Sequence, residues 1–193
     1  QLPSRVADNL YWVGRYAERA EGLARMARAV LRHAREVRDY GDPADALALG
    51  RLLDGFCALA GVASDAFPHR DDLVLTLLLD EQQSGSLPQT LQRLGQAAEQ
   101  LKDRWAPDAS RVLDEIGQRL AQAQELSPQA LGAIEEALDP LITALLTFSG
   151  LSLESMTREQ GWRFLMIGRR LERAQGTATL LAETLAQAAD SSA

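Results

Sequence analysis

Apolar residues recur at Val6, Leu10, Val13, Ala17, Ala20, Ala24, Ala27, Leu31 and Ala34, with gaps of four and three in alternation. That spacing draws one face of a helix and predicts a first helix over about 5–38. Gly41, Asp42 and Pro43 break it, and Asp42 before Pro43 reads as an N-cap and first-turn proline for a second helix through Leu59, ended by Gly61. A short third helix is expected from about His69 to Gln83 with Leu73, Leu77 and Leu78 inward, stopping at Ser84, Gly85 and Ser86. Leu87, Leu91, Leu94, Ala98 and Leu101 mark a fourth, which Pro107 separates from a fifth carrying Val112, Leu113, Ile116 and Leu120. Ser127 and Pro128 restart the chain as a sixth through Ile134, Leu138, Leu141, Leu145 and Phe148, with a kink expected at Pro140. The last helix starts near Glu159 and carries the apolar series Phe164, Ile167, Leu171, Ala174, Ala178, Leu181 and Leu185. No segment reads as a strand. The pattern describes one all-α bundle of six to seven helices over residues 1–193.

Composition agrees with that reading and excludes several functions. Apolar residues make up 46% and charged residues 24% of the 193, as in globular proteins, and no run approaches the length of a membrane span. A net charge of −7 removes the phosphate attraction on which nucleic-acid binding rests. The charge is uneven, with eight arginines against five acids up to Asp39. In that region Arg25, Arg28, Arg32 and Arg35 read as a solvated face, or as a dock for an acidic partner. Cys57, the single cysteine, rules out an intrachain disulfide and reads as a small buried hydrophobe, which fits a cytoplasmic setting. The chain opens on Gln1 rather than Met, as an excerpt or a processed product does.

The informative feature is an internal repeat. Residues 10–22 read LYWVGRYAERAEG and residues 164–176 read FLMIGRRLERAQG; six of the thirteen positions are identical, where average composition gives roughly one. The identities are Gly14/Gly168, Arg15/Arg169, Glu18/Glu172, Arg19/Arg173, Ala20/Ala174 and Gly22/Gly176. Arg19 falls within a second apolar stripe of the first helix, formed by Trp12, Tyr16, Leu23, Met26 and Val30, so it is expected to be partly buried. A buried cation needs a counter-ion, and Glu18 or Glu172 is the kind available, so the two copies are expected to meet. Gly14 and Gly22 each cost about 1 kcal/mol inside a helix relative to Ala, which points to a backbone or ligand approaching there. Two roles for the clusters stay open. They form either an ion network that fixes how the first and last helices pack with pseudo-twofold symmetry, or a site whose guanidinium groups bind a ligand carboxylate or phosphate. Trp162 and Arg163, just before the second copy, either cap a ligand cleft between the repeats or plug the bundle end.

The opening LPSRVADNLYWVGRYAERAEG and the later ESMTREQGWRFLMIGRRLERA resemble the Alpha-E family, a bacterial helical domain named for its ER motif and typically found as a tandem duplication. Weaker similarity in LVLTLLLDEQQSGSL and LPQTLQRLGQAAEQLKDRW extends the resemblance over nearly the whole chain. The resemblance implies a peptide synthesis or modification system with circularly permuted ATP-grasp ligases, transglutaminase-like proteins and an amidohydrolase-type peptidase. The opening is similar to versions fused behind a circularly permuted ATP-grasp region. Family members usually continue past the second ER helix, so the resemblance also implies a shortened chain.

Other chemistry finds little support. The histidines are His33 and His69, and neither has Glu three residues before it, so a di-metal carboxylate bundle is excluded. His33 reads as a solvated surface residue rather than a phosphotransfer group. No phosphate loop, Ser-His-Asp order or zinc spacing occurs. The expected function is a non-catalytic accessory or substrate-presenting domain, without a cofactor or metal, working with a circularly permuted ATP-grasp protein or domain. The alternative makes the ER cleft a binding or acyl/peptidyl-transfer site. There Arg19 and Arg173 hold the carboxylate of a peptide or other ligand, Glu18 or Glu172 serves as base, and Arg15 and Arg169 count among the binding residues of the same cluster.

Overall fold

The computed structural model of the chain describes residues 2–67, 70–154 and 156–190; at 66, 70, 71 and 184–190 it describes the backbone alone. The described residues form seven α-helices and no strand: α1 (Ser4–Tyr40), α2 (Pro43–Ala60), α3 (Arg70–Leu79), α4 (Leu87–Glu99), α5 (Pro107–Gln124), α6 (Leu131–Glu154) and α7 (Gln160–Asp190). Local chemistry explains most of the boundaries. Asp42 caps α2 by accepting from the backbone N–H of Ala44 at 2.8 Å and of Asp45 at 3.0 Å, and Asp45 accepts in return from the N–H of Asp42. Gly61 ends α2 in the left-handed region at φ 73°, and the N–H of Val62 donates back to the Cys57 carbonyl at 3.0 Å. Gly85, at φ 79°, lies against the Ala60 carbonyl, where any Cβ would collide. Ser86 caps α4 through the N–H of Gln89.

Two boundaries differ from the sequence expectation. α3 stops at Leu79, short of Gln83, because Asp80 turns the chain by accepting from the N–H of Gln82. α6 begins at Leu131 rather than at Ser127 and Pro128, which form a turn closed by the N–H of Ala130 on the Ser127 carbonyl. Helix α6 then runs without interruption through Pro140. The expected start of α3 at His69 lies outside the described residues.

α1 is the central element. It packs most extensively on α7, then on α4, α6 and α2, while α5 covers α6 from outside. Its seam from Leu10 to Leu31 is buried throughout, as the periodicity predicts, and joins Leu73, Leu77, Leu94, Leu101, Ile134, Leu138, Leu141 and Phe148 in one core. Trp105, in the turn before α5, packs edge-on against Phe148 and donates its indole N–H to the Ala98 carbonyl at 3.1 Å. Cys57 is buried in the same core, as expected.

The arginine run of α1 is a solvated face, its side chains 29–60% exposed, and Arg28, Arg32 and Arg35 also pair with α6. Arg32 and Arg35 donate to the two oxygens of Glu135 at 3.0 and 2.7 Å, Arg28 pairs with Asp139, and Arg25 pairs with Glu21 one turn earlier. The acidic partner is therefore α6 of the same chain. His33 stays at the surface, partly exposed, with its Nε2–H donating to the Asp45 carbonyl at 3.2 Å and tying α1 to the start of α2.

The apolar series of α7 is the largest departure. Phe164, Ile167, Leu171, Ala174, Ala178 and Leu181 are all exposed, and the helix buries Gly161, Leu165, Gly168 and Glu172 instead.

Candidate functional site

The two ER motifs meet where α1 crosses α7, and they do so reciprocally. A Cβ on Gly14 would collide with the Leu165 carbonyl, and a Cβ on Gly168 with the Tyr11 carbonyl. Tyr11 and Leu165 occupy the same position of the repeat, so each glycine admits the partner helix at the same point. That close approach brings the charges together. Arg15 and Arg19 both reach Glu172, Arg19 through its Nε–H to Oε1 at 2.6 Å and its Nη2–H to Oε2 at 3.2 Å. In the mirror half, Arg173 donates to Glu18 at 2.6 and 3.1 Å, and Arg169 donates to Glu18 Oε2 at 3.3 Å. All six residues of the repeated Arg, Glu, Arg cluster are thus brought together, with each glutamate serving the arginines of the opposite helix.

The network is poorly solvated at its heart and open at one edge. The side chains of Glu18 and Glu172 are 10% and 11% exposed and that of Arg15 is 11%, whereas Arg173 is 65% exposed. Burial pushes the Arg15 guanidinium down, but its hydrogen bonds to Glu172 and Tyr11 outweigh this and hold it above the ordinary arginine value. The Glu18 hydrogen bond raises Arg173 likewise. Both groups stay cationic at any pH at which the protein folds. Both oxygens of each carboxylate accept guanidinium N–H groups, so the glutamates are acceptors within a closed ion network.

The halves are not identical. Arg15 donates further to the Tyr11 hydroxyl at 2.8 Å and to Gln175 Oε1 at 2.9 Å, and lies 5.8 Å from the Tyr11 ring centre. The repeat has Leu165 in place of that tyrosine and Glu21 in place of Gln175. Glu21 is buried and leaves one carboxylate oxygen without a hydrogen bond, a charge the periodicity gave no reason to expect inside.

Beside the network runs a groove of about 370 Å³ lined by Glu18, Arg19, Arg25, Met26, Leu59, Glu172, Arg173 and Leu180, with Gly22 and Gly176 in its wall. Gly22 has nothing within 4 Å of where its Cβ would stand, so this glycine opens onto the groove, whereas Gly14 admits a backbone. Trp162 and Arg163 do not reach this groove. They line a separate depression at the end of the bundle with Pro3, Arg104 and Met156, where Arg158 lies over the Trp162 ring at 5.8 Å. A third groove, about 450 Å³ between α4 and α5, is lined by Leu91, Leu94, Trp105, Leu113 and Ile116 among others. Among the described residues no group of three or more metal-ligating side chains comes together, and no helix is long and apolar enough to cross a membrane.

The chain is 31% identical over 198 residues to an uncharacterized protein of Mycobacterium tuberculosis (strain H37Rv), and equally to one of Mycobacterium bovis. Each alignment covers 94% of this chain but 22% of the relative, so the chain spans about a fifth of the length of these relatives. No solved structure matches. Residues 2–193 match the model of a predicted alpha-helical domain with a conserved ER motif, and the chain belongs to that family, Alpha-E.

Proposed function

We propose that this domain is a non-catalytic accessory or substrate-presenting module of a bacterial ATP-dependent peptide or amide-forming system, acting with a circularly permuted ATP-grasp protein or domain. The observation that carries the reading is the reciprocity of the ER motifs. The chain's most concentrated charged cluster is spent on itself, with both carboxylates saturated by guanidinium donors from the opposite helix. Such a network sets the angle and register of two long helices and builds a rigid scaffold. The family resemblance supplies the ATP-grasp partner. Affinity purification of the tagged chain from its source organism is expected to recover an ATP-grasp protein, and repeated recovery without any ligase-type protein overturns the proposal.

The groove beside the network favours a second reading, a binding site for a peptide carboxylate. Arg173 and Arg25 leave much of their guanidinium groups to solvent at its rim, Met26 and Leu180 make it apolar within, and Gly22 leaves it unobstructed. A ligand at a hundred times its Kd raises folding stability by about 2.7 kcal/mol. Short peptides with a free carboxylate should then raise the melting temperature of the parent and not of Arg173→Ala. Equal response in both removes this reading.

A further inference from the structure

The depression at the end of the bundle is where this acidic chain leaves positive charge unmatched. Acids outnumber bases over the whole sequence, and along α1 every arginine from Arg25 to Arg38 stands against a carboxylate. Arg104, Arg158 and Arg163 do not. All three are exposed, and none makes an ion pair or a side-chain hydrogen bond to any described residue. They come from segments far apart in the sequence, the turn before α5 and the stretch that opens α7, yet they line one depression of about 890 Å³. That size lies within the range of about 300–1,000 Å³ usual for ligand sites. Glu159 is the one acid in the lining, so three positive charges face a single negative one.

The walls are held in place by packing. Gly161 is buried at the floor, where a Cβ would stand 2.9 Å from Met156 Cε and 3.1 Å from Leu10 Cδ1. The N–H of Leu2 donates to Gln160 Oε1 at 3.3 Å and ties the opening of the chain to the start of α7. Arg158 lies over the Trp162 ring at 5.8 Å. Cations gathered without a counter-ion repel one another, and an anion set among them removes that repulsion. Each guanidinium presents a planar fork of donors that matches a carboxylate or a phosphate. We propose that this depression is a binding site for a polyanion, a ligand with at least two carboxylate or phosphate groups held by Arg104, Arg158 and Arg163 beside the Trp162 ring. The site is separate from the groove beside the ER network and rests on neither reading of it.

Tryptophan fluorescence of the 193-residue chain, titrated with pyrophosphate, with citrate and with the peptide tri-glutamate, tests the proposal. The expected result is a saturable change with at least one of the three at concentrations up to about 10 mM, absent in Trp162→Phe. Arg104→Gln and Arg163→Gln should each weaken the midpoint about tenfold, the loss of one charge-assisted hydrogen bond, with helix content by circular dichroism unchanged. Arg93→Gln, which removes an exposed arginine of α4 outside the depression, should leave the midpoint where it was. The tightest of the three probes then names the source of the charge: phosphate, a small carboxylate, or the side chains of an acidic polypeptide. Failure of all three to saturate overturns the proposal, as does a midpoint that Arg163→Gln leaves intact. A response that persists in Trp162→Phe, or that Arg93→Gln weakens equally, means general attraction elsewhere on the surface and overturns it too.

Discussion

Glycines at matching points of one motif are expected to respond to alanine with opposite sign. At Gly14 the new methyl group meets the Leu165 carbonyl, a backbone atom that cannot swing aside. Overpacking of this kind costs about 1–3 kcal/mol, more than the gain of about 1 kcal/mol in helix propensity. Gly14→Ala should lower the melting temperature. Gly22→Ala meets nothing within 4 Å and keeps only the propensity gain, so its midpoint should rise by roughly 2–4 °C. Thermal melts of the two variants decide both expectations. The glutamates carry a larger effect. Removing the charge from a buried pair costs about 3–5 kcal/mol, which at this size is a fall on the order of 10 °C for Glu18→Gln, Glu172→Gln. An unchanged midpoint would mean that the network does not hold α1 to α7 and would withdraw the architectural role given to it here. At this scale the sequence told much: the six charges, their mutual need for counter-ions and the cost of Gly14 were all legible. The buried Glu21 was not, because its place in the pattern matches a harmless Gln175.

Among the elements, helix ends with a side-chain cap were the readable ones. Asp42 before Pro43 announces α2, and the full capping box bears this out. Asp42→Ala should cost about 1 kcal/mol, within the 0.5–2 kcal/mol typical of lost N-caps. Denaturant titration should show the midpoint falling with an unchanged slope. Ser127 with Pro128 carries the same signature and makes a turn instead, closed by the Ala130 N–H on the Ser127 carbonyl, with the Ser127 hydroxyl donating to Gln129 Oε1 at 2.6 Å. The arginine run of α1 shows a different limit. Its spacing was plain, but its partners Glu135 and Asp139 lie about a hundred residues away, and no local pattern names them.

For the whole molecule, the position of α1 dictates cooperativity. The helix packs on α7, α4, α6 and α2, so none of these can melt without exposing part of the surface that α1 buries. Buried Trp105, against α4 and α6, reports on this. In a Trp12→Phe, Trp162→Phe background its fluorescence transition should coincide with the loss of helical circular dichroism. A fluorescence change displaced from the circular dichroism transition would mean that the surroundings of Trp105 and the rest of the bundle fold as separate units.

Amino-acid order alone determined that the chain is helical, that its first and last helices are copies, and that the copies must meet. Helical period, composition and the cost of an unpaired buried charge are local or pairwise properties that a linear text contains. Which face of α7 would be covered was decided only in three dimensions. Periodicity marks a face as apolar without saying whether anything lies against it. The ER face of α7 is taken by α1 through Gly14, Gly168 and the reciprocal ion network, and α4 and α6 are already spent on the matching face of α1. Among the described residues the apolar series of α7 lies exposed, while the matching series of α1 is buried in the core.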